Sequence, residues 1–259
     1  MRAKKGELPD WVTRHYEEAL QSHQNLMQVA SISRKGIHGL TAGPRLMKAV
    51  ARATGKQAPD QERLRLAEED ASLSESEIRD DFPVLHSLVV VGLWSWLEHL
   101  VKEVAINWVR HRPSVLLNPP FNRVRLQATE VASLTRAEQA ALIVDLLEQE
   151  TSSSSRQGVG RFESLLSPMG LSGPVPEDTS KAIFELQQAR NVIAHRNGRC
   201  DRRFKAACPC LKVKLGAPLR VGTEQVSIYA ANSVNYGLEL LYRIGDAHEL
   251  DLRERSDGT

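Results

Sequence analysis

Residues 83–112 read PVLHSLVVVGLWSWLEHLVKEVAINWVRHR, and this stretch decides the fold. Apolar side chains recur along it at steps of three and four residues, the spacing of the buried face of an α-helix. They are Leu85, Leu88, Val89, Leu93, Trp96, Leu97, Leu100, Val101, Val104 and Trp108. We expect a helix that ends before Pro113 and either forms the core or also faces a second subunit. Glu98 and Lys102 are spaced for a surface ion pair on it.

The rest of the chain predicts a mainly α protein, a helical bundle with one small β-hairpin. Thr135 and Glu138 fit a capping box, Asp178 or Thr179 can cap a later helix, and a last helix spans about 227–245. Segments 211–215 and 219–221 flank Gly216-Ala217-Pro218, which indicates the hairpin. We divide the chain into an N-terminal helical extension and linker (1–73), a helical domain (74–250) and a disordered tail (251–259).

Composition limits the partners and the location of the protein. The chain has 259 residues and a formal net charge of only +2, so any attraction to nucleic acid must come from local clustering of charge. The basic N-terminus leads into no apolar segment of the signal-peptide kind. The longest apolar run, 88–97, is too short to span a bilayer. We expect a soluble, cytoplasmic protein with no membrane partner.

Cys200, Cys208 and Cys210 all fall within one short segment. An odd number of cysteines this close together makes a poor disulfide framework. A metal site would need a fourth ligand, for which His195 is nearest in sequence, but the spacing matches no common zinc pattern. We therefore expect reduced, partly buried thiols, with no metal and no cofactor, while a zinc-stabilised binding domain stays open as an alternative.

The stretch with the most chemistry is 189–198, ARNVIAHRNG. Histidine can move a proton near neutral pH, arginine can hold a phosphate with a planar fork, and asparagine can orient either. Asn191 lies one helical turn before His195 and can fix its ring. Arg190 is five residues from His195, about 140° around a helix, so one straight helix does not aim both at one phosphate. Either the helix frays before Gly198, or a second copy pairs its motif with this one.

A basic loop follows the motif. Its cations are Arg196, Arg199, Arg202, Arg203 and Lys205. Asp201 is the one acid among them. Such a cluster is suited to RNA backbone and predicts RNA-binding roles for these five residues. Phe204 can stack on a base, although a buried aromatic is the more ordinary interpretation.

The Arg-Asn-x3-His pattern at 190–195 resembles the signature of the HEPN superfamily of ribonucleases. Three further features carry the resemblance over about 77–248: the apolar helix with internal Glu98, the short hairpin, and a closing helix that contains Leu-Leu-Tyr at 240–242. The resemblance implies an α-helical bundle, a homodimer, and a metal-independent ribonuclease in toxin–antitoxin or antiphage systems. It also implies catalytic roles for Arg190, Asn191 and His195.

The sequence therefore predicts an endoribonuclease. RNA carries its own nucleophile, so attack by the 2′-hydroxyl would leave a 2′,3′-cyclic phosphate, with His195 as general base or general acid. Such a toxin or defence effector would have an antitoxin or regulatory protein as a partner. The main alternative is a non-catalytic helical module that binds RNA or a protein through the same basic loop.

Overall fold

The computed structural model describes residues 7–55, 60–126, 131–152 and 156–253. Within these ranges the chain forms nine α-helices and no strand. The helices are α1 (Asp10–Leu40), α2 (Gly43–Ala53), α3 (Gln61–Arg79), α4 (Pro83–His111), α5 (Arg136–Ser152), α6 (Val159–Leu166), α7 (Glu177–His195), α8 (Arg202–Ala207) and α9 (Thr223–Asp246). The prediction of a mainly α protein is confirmed.

Helix α4 is the central helix of the fold. Its stripe is covered by α1, α5, α7 and α9, and Val90, Leu93 and Leu97 have no exposed surface. Leu88, near the start of the helix, is 66% exposed. The core-helix interpretation is therefore confirmed. Most of the stripe is buried within this chain, and Leu88 is one of the few apolar residues of α4 that stay exposed.

Helix α4 is also long and apolar enough to cross a membrane, by length and hydropathy alone. No other helix in the described ranges passes that test. Half of the apolar window is buried inside the fold, and α4 packs against α1, α5, α6, α7 and α9. Such burial is usual for the core helix of a soluble protein.

The N-terminal helix α1 packs against α4. The indole Nε1 of Trp96 donates to the carbonyl of Ala19 at 2.7 Å. A Cβ on Gly92 would lie 2.9 Å from the side chain of Leu26, so the glycine allows the close approach. Earlier residues of α1 thus meet later residues of α4, and the two helices run antiparallel. Leu73, the end of the predicted extension, lies within α3.

Two polar clusters, at Asp81 and at Glu163, hold helix ends and loops together. Asp81 accepts hydrogen bonds from the backbone N–H and the hydroxyl of Thr223, both at 2.7 Å, and so caps α9 from the α3–α4 turn. Glu163 on α6 pairs with Arg243 on α9 at 2.8 Å. The same carboxylate accepts from Tyr236 and from the backbone of Gly173. The loop that leads into α7 is thereby held against α6 and α9.

The predicted hairpin is not formed. The backbone of 216–219 pairs with 198–200 instead: Leu219 N–H donates to the carbonyl of Gly198, and Cys200 N–H to that of Ala217. Arg199 and Pro218 make an isolated β-bridge. The hydrogen bonds expected between 211–215 and 219–221 are thus replaced by bonds to the segment that follows the motif. Lys212, with a φ of 49°, also breaks the extended conformation.

The remaining local predictions have mixed outcomes. The capping box is confirmed, because Thr135 and Glu138 exchange hydrogen bonds at the start of α5. The Glu98–Lys102 pair is wrong: Glu98 binds Arg161 on α6, while Lys102 binds Asp145 on α5. Charge partners on neighbouring helices replace the partner on the same helix. Of the predicted disordered tail, 254–259 lies outside the described residues.

Candidate functional site

Helix α7 carries the motif and is anchored by its apolar face. Ile183, Leu186 and Ala189 are fully buried, as their helical spacing predicts. The helix begins at Glu177 after Pro176, and neither Asp178 nor Thr179 caps it. The hydroxyl of Thr179 donates to Asn232 on α9 at 2.9 Å, so a tertiary contact takes the place of the expected cap.

The chain reverses immediately after the motif. The N–H groups of Arg196 and Gly198 both donate to the carbonyl of Val192. Asn197 and Gly198 follow in the left-handed region, with φ of 51° and 68°. The predicted termination at Gly198 is confirmed, and the turn leaves His195 exposed as the last residue of α7.

Arg190 and His195 lie in contact within one chain. The guanidinium Nη1 of Arg190 is 3.1 Å from Nε2 of His195. The same Nη1 donates to Oδ1 of Asn191 at 3.3 Å. The two side chains therefore meet without fraying of the helix, which is a third geometry beside the two that the sequence suggested. Helix α7 stays regular through His195, and the long arginine side chain spans the angle between the two positions.

The Arg190–His195 contact joins a group that can only donate to one that can accept. A guanidinium offers only N–H donors, so in a hydrogen bond between the two Arg190 is the donor and Nε2 of His195 the acceptor. The Nε of Arg190 is buried and has no hydrogen-bond partner within the described part of the chain.

An open cleft of about 330 Å³ borders the motif. We call it the motif cleft. Its lining comprises Gln157, Gln187, Gln188, Asn191, Val192, His195, Arg196, Asp201, Arg203 and Phe204. Gln188, Asn191 and His195 share the cleft, as expected for one face of the helix. Arg190 is not part of the lining and reaches His195 from the side.

The predicted RNA-binding residues separate into three groups. Arg196 and Arg203 line the motif cleft, and Arg196 also pairs with Asp201 at 3.5 Å. The guanidinium of Arg199 donates to the carbonyl of Gly216 and so holds the neighbouring loop. Arg202 and Lys205 have exposed side chains on α8 and do not line the motif cleft.

Phe204 and three glutamines complete the motif cleft. Phe204 is buried, which agrees with the more ordinary of its two interpretations. Gln188 donates to Gln157 at 3.0 Å, and Gln187 accepts from the backbone of Gly158 at 2.7 Å. Gln157 and Gln187 were not predicted as site residues. No local pattern marks them, because they meet only when the 156–158 segment packs against α7.

The three cysteines are free thiols, two of them buried. Within the described ranges no group of three or more histidine, cysteine or acidic side chains is arranged to hold a metal ion. Cys210 donates its thiol to Glu185 at 3.0 Å. Burial, aided by Glu185 and the neighbouring thiols, raises the pKa of Cys208 to about 12. Without a metal, Cys208 is thus a neutral, buried thiol at physiological pH.

Comparison with protein-family models, curated proteins and solved structures finds no match for this chain. Any assignment of function therefore rests on the site itself. That site combines a histidine in contact with an arginine and a cleft lined by two more arginines. Such a combination can transfer a proton and hold a phosphate in one place.

Proposed function

We propose that this protein is a metal-independent endoribonuclease with a HEPN-like helical bundle. The 3.1 Å contact between Arg190 and His195, at the edge of an arginine-lined cleft, is the observation that carries the proposal. The contact and the cleft together provide a proton-transfer group and phosphate-binding groups without a metal. RNA is the substrate class that needs no activated water, because its 2′-hydroxyl is the nucleophile.

In the proposed reaction His195 acts as general base on the 2′-hydroxyl or as general acid on the leaving 5′-oxygen. As base, its Nε2 takes the hydroxyl proton while the 2′-oxygen forms a bond to phosphorus. The bond from phosphorus to the 5′-oxygen then breaks, and that oxygen leaves with a proton. The products are a 2′,3′-cyclic phosphate and a 5′-hydroxyl. Each proton-transfer role is typically worth about 100- to 10,000-fold.

The arginines stabilise the charge on the scissile phosphate. Arg196 and Arg203 line the motif cleft and would hold the phosphate beside His195. Arg190 would exchange its hydrogen bond with Nε2 for one to a phosphate oxygen when RNA enters, which frees the lone pair that accepts the proton. Asn191, within hydrogen-bond distance of Arg190, would keep the guanidinium in place during that exchange.

We also propose a homodimer and a cytoplasmic role as a toxin or antiphage effector. A two-fold interface that joins two α7 C-termini would place two histidines in one cleft, one for each proton transfer. A ribonuclease that stops growth requires control, so an antitoxin or regulatory protein is the proposed further partner.

The first test is cleavage of RNA in the presence of EDTA. We would compare wild type with Arg190→Ala and His195→Ala and identify the product ends. The proposal requires cleavage that survives EDTA, leaves cyclic phosphates and is abolished by both substitutions. The matched control is His99→Ala, which removes an exposed histidine of α4 away from the motif and should cleave normally.

The substrate supplies a second control. A strand with a single 2′-deoxy position at the cleavage site should resist cleavage there, because the nucleophile is absent. Equal cleavage of DNA and RNA, or full activity of the His195→Ala variant, would contradict the proposed mechanism.

A non-catalytic RNA-binding module is the second candidate. One observation favours it: the Nε2 lone pair of His195 is already engaged by Arg190. In that case His195→Ala would leave RNA affinity nearly unchanged, and no RNA would be cut by the wild type.

A further inference from the structure

A second cleft also borders Phe204, and its charge comes from lysines. Its volume is about 190 Å³, and three of its seven lining residues are lysines. They are Lys205 from α8 together with Lys212 and Lys214 from the loop that follows. We call it the lysine cleft. Phe204, Cys208, Pro209 and Val213 complete its lining.

The lysine cleft has no negative charge of its own. None of its lining residues is acidic. Cys208 adds none, because burial raises the pKa of its thiol to about 12. In the described part of the chain none of the three lysines forms an ion pair. Three like charges around one small cavity repel each other, so an anion bound among them would be strongly favoured.

The backbone that carries two of these lysines is fixed. Lys212 N–H donates to the carbonyl of Pro209, and Ala217 N–H donates to that of Lys214. Lys212 has a φ of 49°, a left-handed conformation that favours glycine.

The lysine cleft and the motif cleft share one lining residue, the buried Phe204. Lys205, which lines the lysine cleft, and Arg203, which lines the motif cleft, are its neighbours on α8. A nucleic-acid strand that places one phosphate beside His195 and follows α8 would bring another towards the lysines. Pro209 and Val213, which are not buried, give the cleft an apolar side that suits the sugar between successive phosphates.

We infer that the lysine cleft binds a backbone phosphate of the RNA strand whose scissile phosphate lies beside His195. This inference rests on the proposed function and adds a second subsite to it, with Lys212 and Lys214 as new binding residues. The subsite acts on affinity and strand position, since its lysines line a separate cleft from the reacting groups.

The kinetic test uses the double variant Lys212→Gln/Lys214→Gln. The expected result is a KM for RNA that rises about tenfold or more, as for loss of charged hydrogen bonds, with kcat little changed. The slope of log affinity against log salt should fall by about 0.7 for each phosphate that the variant no longer binds. The matched control, Lys35→Gln/Arg45→Gln, removes two exposed charges from α1 and α2 and should change neither.

Binding of an uncleavable strand separates this inference from the proposed function. A 2′-O-methyl RNA with a 5′-hydroxyl end should protect Lys212 and Lys214 of the wild-type protein from acetylation, as read by mass spectrometry. If the wild type cuts no RNA, the nuclease proposal fails, yet this protection would still support a strand-binding subsite. If the wild type cuts RNA and the double variant has an unchanged KM, the subsite inference fails alone.

The source of the phosphate is resolved by two further probes. Protection by inorganic pyrophosphate but not by the 2′-O-methyl strand would indicate a site for a free phosphate and overturn the inference. Protection that requires a 5′-phosphate on the strand would show that the lysine cleft binds the terminal phosphate and not a backbone phosphate. That result would also overturn the inference. Lys212→Gly relieves the backbone while removing the charge, so it should fold normally and still bind RNA more weakly.

Discussion

The guanidinium of Arg190 lies 3.1 Å from the imidazole of His195, although the two residues are five positions apart on α7. Their Cα positions differ by about 140° around the helix. The contact forms because the arginine side chain is long enough to reach the last turn, where the chain reverses and leaves His195 exposed. The two side chains are therefore expected to act as a unit.

The first prediction concerns this unit. Arg190→Lys keeps the charge but loses the planar fork, and we expect single-turnover cleavage to fall about 100-fold, as for loss of an oriented donor. The double variant Arg190→Ala/His195→Ala should fall no further than the more damaged single variant, because groups that act together are not additive. Arg45→Lys, on α2, is the control. Losses that multiply would show that the two residues act independently.

A second prediction concerns the packing behind the motif cleft. Gly158 has a φ of 57°, and a Cβ there would lie 3.0 Å from the Cα of Phe184 on α7. The clash is with backbone and cannot be relieved by a side-chain rotation. We expect Gly158→Ala to destabilise the protein by roughly 2–4 kcal/mol, through backbone strain and displacement of α7. Urea unfolding measures this change in the free energy of unfolding.

Gly36→Ala is the matched control for Gly158→Ala. Gly36 lies within α1, and a Cβ there would meet nothing within 4 Å. This substitution should stabilise the protein by up to about 1 kcal/mol, since alanine is the better helix former. Equal effects of the two alanines would mean that the contact between Gly158 and α7 does not constrain the fold.

How far the sequence predicted the structure depends on the range of the interactions. The helix at 83–111 and the stripe of Ile183, Leu186 and Ala189 were predictable, because burial repeats along a helix with a fixed period. The capping box was predictable because its two partners, Thr135 and Glu138, lie three residues apart in the sequence. The termination at Gly198 followed from the conformational freedom of glycine.

The wrong predictions concern residues whose partners are distant in sequence. Glu98 pairs with Arg161 and not with Lys102, and Thr179 binds Asn232 and does not cap its own helix. Likewise 216–219 paired with the segment after the motif, which removed the hairpin. The candidate site was also only partly predictable, because Gln157 lines the motif cleft only through tertiary packing.

The third prediction tests the buried ion pair that holds the loop before α7. The side chains of Arg243 and Glu163 are 10% and 15% exposed, and the carboxylate also accepts from Tyr236. Glu163→Gln leaves the arginine buried without a counter-charge. We expect a loss of about 3–5 kcal/mol. A fall in Tm of at least roughly 6–12 °C should accompany it.

Glu62→Gln provides the comparison for Glu163→Gln. It removes the carboxylate from an exposed pair with Arg65 on α3, and no change in Tm is expected. A fall in Tm for Glu163→Gln no larger than for Glu62→Gln would show that the buried pair is not a stabilising clamp.

The last prediction concerns Asp81, which caps α9 from the α3–α4 turn. Desolvation by itself raises the pKa of Asp81, but the hydrogen bonds from Thr223 outweigh it, so its pKa lies below the ordinary value of 3.8. Because the folded pKa is lowered, the contribution to stability is present above about pH 4 and is lost as the pH falls through the folded pKa. Asp81 has a φ of 59°, which asparagine tolerates, so Asp81→Asn removes the charge without adding strain.

Asp81→Asn should therefore cost about 0.3–1 kcal/mol at pH 7, the usual value of a negative charge at a helix N-terminus. The difference between wild type and variant should shrink towards zero in acid, because protonation removes the same charge from the wild type. Urea unfolding from pH 7 down to about pH 3 measures both curves. Asp70→Asn, at an exposed position of α3, should follow the wild type throughout. A difference that stayed constant with pH would mean that shape, and not charge, makes Asp81 the cap of α9.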